Sequence, residues 1–196
     1  MRNTVRETVK LGLVLMIIAA ISGISLAYVN GITEPIIEER KRQETALAMK
    51  VVLPHAVVFE DLSDDEITAV KNLDSDFKTL TSASIGYGED GGVVGAVISF
   101  SVNGYGGSVE MLAGLDSTLT ISGMKVMSHS ETAGLGAKIK EDSFITQFAG
   151  HSVSDPAKLS RDGGDIDAIA GATISSRAAV TAADLALRLA TCVLER

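Results

Sequence analysis

Asp167-Ala168-Ile169-Ala170-Gly171-Ala172-Thr173-Ile174-Ser175-Ser176, followed at once by an amphipathic run to the C-terminus, marks where the last helix of this chain begins. Ala178, Ala182, Leu185, Leu189 and Val193 recur at three- and four-residue steps, while Arg177, Thr181, Asp184, Arg188 and Thr191 repeat on another face. Asp184 and Arg188 form a favourable pair one turn apart, and Ser175 or Ser176 is suited to the N-cap. The Gly-Ala turn sets one Thr and two Ser at the mouth of this helix, where unpaired N–H groups and the macrodipole favour an anion. The hydroxyls therefore read either as part of a phosphate site or as ordinary caps.

Upstream of this helix the chain reads as antiparallel sheet from about Ser84 to Met127. Val93 to Val102 is rich in β-formers, and Val109, Met111, Ala113 and Leu115 alternate with Ser108, Glu110, Leu112 and Gly114. Asp116-Ser117-Thr118 reads as a hairpin turn. The apolar phase shifts after Gly123, the mark of a bulge there. Asn103-Gly104-Tyr105-Gly106-Gly107 separates two strands and reads as a bare turn or as a place where backbone approaches a ligand beside one aromatic face. The loop His129-Ser130-Glu131-Thr132-Ala133-Gly134-Leu135-Gly136-Ala137-Lys138 is open to the same two readings.

Leu11 to Val29 carries no charge, and as a helix it spans roughly 28 Å, close to the hydrocarbon core of a bilayer. A single retained membrane span is expected. A cleaved signal peptide competes with it, because Arg2, Arg6 and Lys10 form a basic leader and Ser25-Leu26-Ala27 resembles a cleavage site, but the apolar run exceeds the usual length of such a segment. Basic residues close to the start of the span favour an inside N-terminus and a domain on the far side. Beyond the span, Thr33 is expected to cap a stalk helix with Pro35 in its first turn, ending before Pro54. Ser63-Asp64-Asp65-Glu66 has capping-box spacing and reads as a helix start or an acidic loop. The expected organisation is an N-terminal cytoplasmic segment 1–10, a transmembrane helix 11–29, a juxtamembrane stalk 30–54 and one α+β domain 55–196.

The chain has 196 residues and a net charge of −8, without a basic run that would track a phosphate backbone, so no nucleic-acid partner is expected. Cys192 stands alone, which excludes an internal disulfide and a cysteine-bound iron–sulfur cluster. His55, His129 and His151 lack metal-ligand spacing and read as surface or loop residues. No nicotinamide fingerprint, P-loop or catalytic triad is present, so any redox role needs a borrowed cofactor.

Asp167, Ala170, Gly171, Ala172 and Thr173 resemble the flavin-attachment motif of the FMN-binding domain family, Asp-x-x-Ser/Thr-Gly-Ala-Thr/Ser, with Ala170 in place of the usual hydroxyl residue. Together with Gly104-Tyr105-Gly106-Gly107 and Glu131-Thr132-Ala133-Gly134-Leu135-Gly136, where Ala133 replaces a usual Pro, the motif is similar in order and spacing to the G subunits of the Rnf electron-transport complex. Those proteins are related to the C subunit of the sodium-pumping NADH:quinone oxidoreductase. The resemblance implies FMN joined by its phosphate to Thr173 through a phosphoester, with Gly171, Ala172 and Ile174 beside it and the ring held by Tyr105 and the loop Glu131, Thr132, Gly134, Leu135 and Gly136. Lys138 is expected to offset phosphate charge. It further implies an electron carrier, not a complete enzyme, in a complex coupling ferredoxin oxidation and NAD reduction to Na+ or H+ transport. Its implied partners are the other subunits, the lipid bilayer of the cell (inner) membrane and a flavin transferase. Two alternatives stand beside it: a stand-alone extracytoplasmic flavoprotein, and a flavin-free membrane-anchored binding or assembly module.

Overall fold

The computed structural model describes residues 2–194. The first residue of the expected N-terminal segment and the last two of the expected domain lie outside it. Helix α1 runs Arg2–Val52, β1 Val58–Asp61, α2 Asp64–Lys71, β2 Leu80–Tyr87, β3 Val93–Asn103, β4 Ser108–Asp116, β5 Ile121–His129, α3 Asp142–Ile145 and α4 Thr173–Leu194, with short 3-10 turns between them. The chain divides into a helical unit, Met1–Glu44, and a compact unit, Thr45–Arg196.

In the helical unit no helix boundary falls at Thr33. The Thr33 hydroxyl donates to the carbonyl of Val29 at 3.0 Å, a bond made back into the preceding turn, so the residue does not cap. Pro35 lies inside a continuous helix, and residue 31, whose carbonyl the proline ring crowds, is a glycine. The expected span and stalk therefore lie within one continuous helix. Among the described residues this helix is long and apolar enough to cross a membrane.

The compact unit is built on a five-stranded antiparallel meander in the order β1-β2-β3-β4-β5. Residues on β3 and β4 alternate between two faces, as a two-residue period requires. Ala96, Ile98, Phe100 and Val102, with Val109, Met111, Ala113 and Leu115, join the core beneath α4. Val97 and Leu112 point the other way and pack with Ala48, Met49, Val52 and Leu53, from the final turns of α1 and just beyond. A sheet covered on both faces explains why β3 is buried along almost its whole length. At Gly114 an added Cβ would lie 2.2 Å from the Val52 carbonyl oxygen, so the close approach of the α1 end to the sheet depends on the missing side chain.

The β4–β5 hairpin turns at Asp116, whose carboxylate accepts from the amides of Thr118 and Thr120. The register shift falls between Ile121 and Gly123, one residue from the expected bulge position, and leaves Ser122 unpaired in the ladder. The capping box at Ser63 forms, with Glu66 accepting from the Ser63 amide.

Helix α4 begins at Thr173, two residues before the expected N-cap. Ser175 and Ser176 lie in its first turn, and both are buried. Its apolar face covers β3 and β4, with Leu185, Leu189 and Val193 in the core, each contributing about 1.5–3 kcal/mol by leaving water. Near its far end Arg188 bonds Asp74 and Asp76, stands 3.9 Å from Asp184 and stacks over the Phe77 ring. The Asp76 amide, and then the Arg188 guanidinium, hold the Asp74 carboxyl below the usual carboxylate range. A depressed folded-state pKa contributes stability above the unfolded value, which is lost as the pH falls through the folded one. Asp74→Asn is therefore expected to lower stability at pH 7 and to lose this difference as the pH falls through the depressed Asp74 value, as chemical denaturation at neutral and at acid pH will show.

Candidate functional site

Three segments far apart in sequence meet at the N-terminal end of α4: the β3–β4 loop, the loop after β5, and the turn before the helix. Glu131 joins them. It is buried, with 8% of its surface exposed. One carboxyl oxygen accepts from the Tyr105 amide at 2.7 Å, and the other accepts from the Ser175 hydroxyl at 2.9 Å. Its own amide donates to His129 Nδ1 at 3.3 Å.

The glycines of these motifs are explained by this contact. A Cβ on Gly104 would lie 2.0 Å from Glu131 Oε1, and one on Gly136 would lie 2.2 Å from Oε2 and 2.6 Å from the Ser175 oxygen. Gly106 is pressed against the Ser130 carbonyl in the same way. The glycines around Tyr105 admit the neighbouring loop, as a tight turn requires, and Tyr105 itself lines the cleft. Glu131 lines the cleft, and each of its carboxyl oxygens also accepts one hydrogen bond from the protein.

The three segments enclose a cleft of about 380 Å3, within the range of small-molecule sites. Tyr105, Leu135 and Ile174 line it and are large apolar residues left substantially exposed, Tyr105 at 74%. Such a cluster of uncovered apolar groups suits a flat, apolar ligand surface. Glu131, Thr132 and Gly136 line the side of the second loop, and Gly171, Ala172, Thr173 and Ser175 that of the helix. Gly171 has φ +76°, a left-handed conformation that turns the chain into the helix at little cost for glycine.

The amides of Thr173, Ile174 and Ser175 open α4 and have no carbonyl within the helix to bond. With the macrodipole behind them they favour an anion at the cleft wall. The Thr173 side chain is partly exposed, and its hydroxyl makes no hydrogen bond to any described residue. An apolar cleft beside an anion-binding helix end, with a free hydroxyl at that end, fits a flavin ring and its phosphate.

Gly134, Lys138 and Asp167 are not among the lining residues. Gly134 makes a left-handed turn with φ +77° at the exposed part of its loop. Lys138 is exposed in the following 3-10 turn, and Asp167 is engaged by Ser160 and Gln147 before the helix. Ser175 was missed as a site residue. Its buried hydroxyl serves Glu131 and not the helix cap, a role that no local pattern discloses. His151, read as a surface or loop residue, lies in a loop but is buried, with Nδ1 3.2 Å from the Asp155 carbonyl and Nε2 3.4 Å from Asp165.

The FMN-binding domain model matches residues 104–188, a range that takes in all three segments. The G subunit of an ion-translocating oxidoreductase complex from Methanosarcina acetivorans is 36% identical over 178 residues, covering 90% of this chain and 91% of that one. Its namesake in Cereibacter sphaeroides is 36% identical over 181 residues, covering 86% and 78%. The G subunit of the Na(+)-translocating ferredoxin:NAD(+) oxidoreductase complex of Acetobacterium woodii is 30% identical over 186 residues, covering 92% and 90%. Among solved structures, the C subunit of the Na(+)-translocating NADH-quinone reductase of Parabacteroides distasonis has a similar fold, with TM-score 0.52 and 20% identity over 72% of this chain and 79% of that one.

Removing the Glu131 carboxyl leaves the Tyr105 amide and the buried Ser175 hydroxyl without their acceptor. Glu131→Ala is expected to lower the unfolding free energy by about 2–3 kcal/mol, and Glu131→Gln, which retains an acceptor for Tyr105, by less. Urea denaturation of the two variants beside the unaltered chain checks the order.

Proposed function

We propose an electron-carrier role from one premise: the chain belongs to the family of G subunits of ion-translocating oxidoreductase complexes, and it carries an FMN-binding domain over residues 104–188. The observation that carries the role to particular residues is the Glu131-closed cleft at the start of α4, where an apolar wall and a helix N-terminus meet at the Thr173 hydroxyl. When bound, FMN supplies the redox chemistry, taking up electrons and passing them on. The side chains of this protein bind, orient and shield.

In this reading the FMN phosphate is esterified to Thr173 and rests against the free amides of Thr173, Ile174 and Ser175. Tyr105, Leu135 and Ile174 hold the ring. Gly171 and Ala172 keep the backbone low beside the phosphate, and Thr132 offers its exposed hydroxyl to a polar edge. Lys138 contributes only a diffuse positive field from its exposed position. A tether suits a carrier, because the cofactor cannot leave between turnovers.

The apolar helix within Arg2–Val52 anchors the protein in the cell membrane as a single pass, with the domain on the extracytoplasmic side. Its partners are the other subunits of the complex, the surrounding lipid and a flavin transferase that makes the ester. Electron flow through the complex is coupled to ion transport. The apolar run 11–29 holds no ionisable side chain except that of Tyr28, so it offers no charged ion path.

Thr173→Ala is expected to abolish covalent flavin with a small change in stability, while Thr173→Ser, which keeps a hydroxyl, retains it. Intact-mass measurement on protein produced with an active flavin transferase reads both. A mass gain of one FMN less one water in Thr173→Ala would defeat the assignment. A chain that binds no flavin in any form would favour the assembly-module reading.

A further inference from the structure

The turn that leads to Thr173 is held from three directions by side chains that do not line the cleft. Gln147, in the 3-10 turn after α3, accepts from the Asp167 amide at 2.7 Å and donates to the Asp167 carbonyl at 3.5 Å. Ser160 donates to the Asp167 carboxylate at 2.8 Å. Ser176, fully buried in the first turn of α4, accepts from the Ile169 amide at 3.0 Å and donates to the Ala172 carbonyl at 3.0 Å. Within the turn the Ala172 amide donates to the Ile169 carbonyl at 2.9 Å, and Gly171 supplies the left-handed residue.

A helix start needs one cap. Here both backbone groups of Asp167, its side chain, and the polar backbone groups at Ile169 and Ala172 are fixed over six residues, by partners as distant as Gln147. The anchoring stops at Thr173, whose hydroxyl is left unbonded. This arrangement fixes the acceptor oxygen in space while leaving it reachable. It also accounts for Ala170, an exposed residue where the attachment motif usually carries a hydroxyl. The hydroxyl that ties this turn together comes from Ser176.

We propose that Gln147, Ser160 and Ser176 are positioning residues that hold residues 167–172 in the one shape read by the flavin transferase, so that FMN is transferred to the folded domain and not to an extended peptide. The inference rests on covalent attachment at Thr173 as proposed above. In the transfer the Thr173 oxygen gives its proton to a base on the transferase and forms a bond to the FMN phosphorus of a flavin dinucleotide. The pyrophosphate P–O bond breaks, and the nucleoside monophosphate leaves with the bonding pair. No oxidant or reductant is consumed. Gln147, Ser160 and Ser176 touch none of the reacting atoms and act through the turn.

The test is a time course of intact mass for the full chain in detergent micelles, with purified flavin transferase and flavin dinucleotide. Gln147→Met keeps the shape of the side chain and removes both bonds to Asp167. It is expected to slow loading roughly 10- to 100-fold while leaving the thermal unfolding of the domain within a few degrees of wild type. Gln147→Glu keeps an acceptor for the Asp167 amide and is expected to recover most of the rate, a rescue that general destabilisation does not produce. A synthetic peptide of residues 163–180, which contains the whole motif and Ser176 but neither Gln147 nor Ser160, is expected to load about 100-fold more slowly than the chain. A Gln147→Met rate within twofold of wild type, or a peptide that loads as fast as the chain, overturns the inference while leaving Thr173 as the acceptor. A wild-type chain that never loads, with the transferase active on a control protein, overturns the attachment itself.

Discussion

One buried carboxyl group determines whether this domain has a cleft. Glu131 reaches across to the Tyr105 amide in one direction and the Ser175 hydroxyl in the other, and it closes three segments that would otherwise be separate surface loops. A buried polar group of this kind costs free energy unless its partners are complete, and the buried Ser175 hydroxyl is costly if left alone. The arrangement therefore favours one closed geometry over a range of looser ones. Gly104 and Gly136 follow from the same contact, since any side chain at either position would occupy the space of the carboxyl.

The rest of the domain brings the ends of this bridge together. The meander places the β3–β4 loop and the end of β5 at the same side of the sheet, because β3 and β5 both flank β4. Helix α4 crosses that face with its N-terminus at the same side, held by its apolar stripe on β3 and β4 and by the Arg188 pairs near its far end. Val52 and Leu53 cover the opposite face. A redox carrier gains from such rigidity, since the position of its cofactor relative to its partners is set by packing that has nothing to do with the chemistry.

Much of this was legible in the sequence, and for identifiable reasons. The alternation along β4, the Asp116 turn, the capping box at Ser63 and the face of α4 are local patterns, and each formed. What differed depended on the helix running on through Thr33 and Pro35, and elsewhere on contacts across the chain. Thr33 and Pro35 carry the signals of a helix start, yet the helix runs through them. Ser175 and Ser176 look like caps, but their hydroxyls are drawn to Glu131 and to the turn at Ile169 and Ala172. The loop glycines were open to a turn or to approach by a ligand, and the reason Gly104 and Gly136 lack side chains is the Glu131 carboxyl. His151 has no local sign of burial. For Ser175 the deciding partner, Glu131, lies in another segment, which local pattern cannot encode.

The claim that Glu131 assembles the cleft is tested most directly at the Tyr105 amide, the backbone group that its carboxyl accepts from. Hydrogen exchange of that amide, followed by NMR in the unaltered domain-bearing chain and in Glu131→Ala, reports the bond itself. The account predicts slow exchange in the former and acceleration of about tenfold or more in the latter. Exchange at the rate of a free loop in the unaltered chain, or the same rate in both, would contradict it.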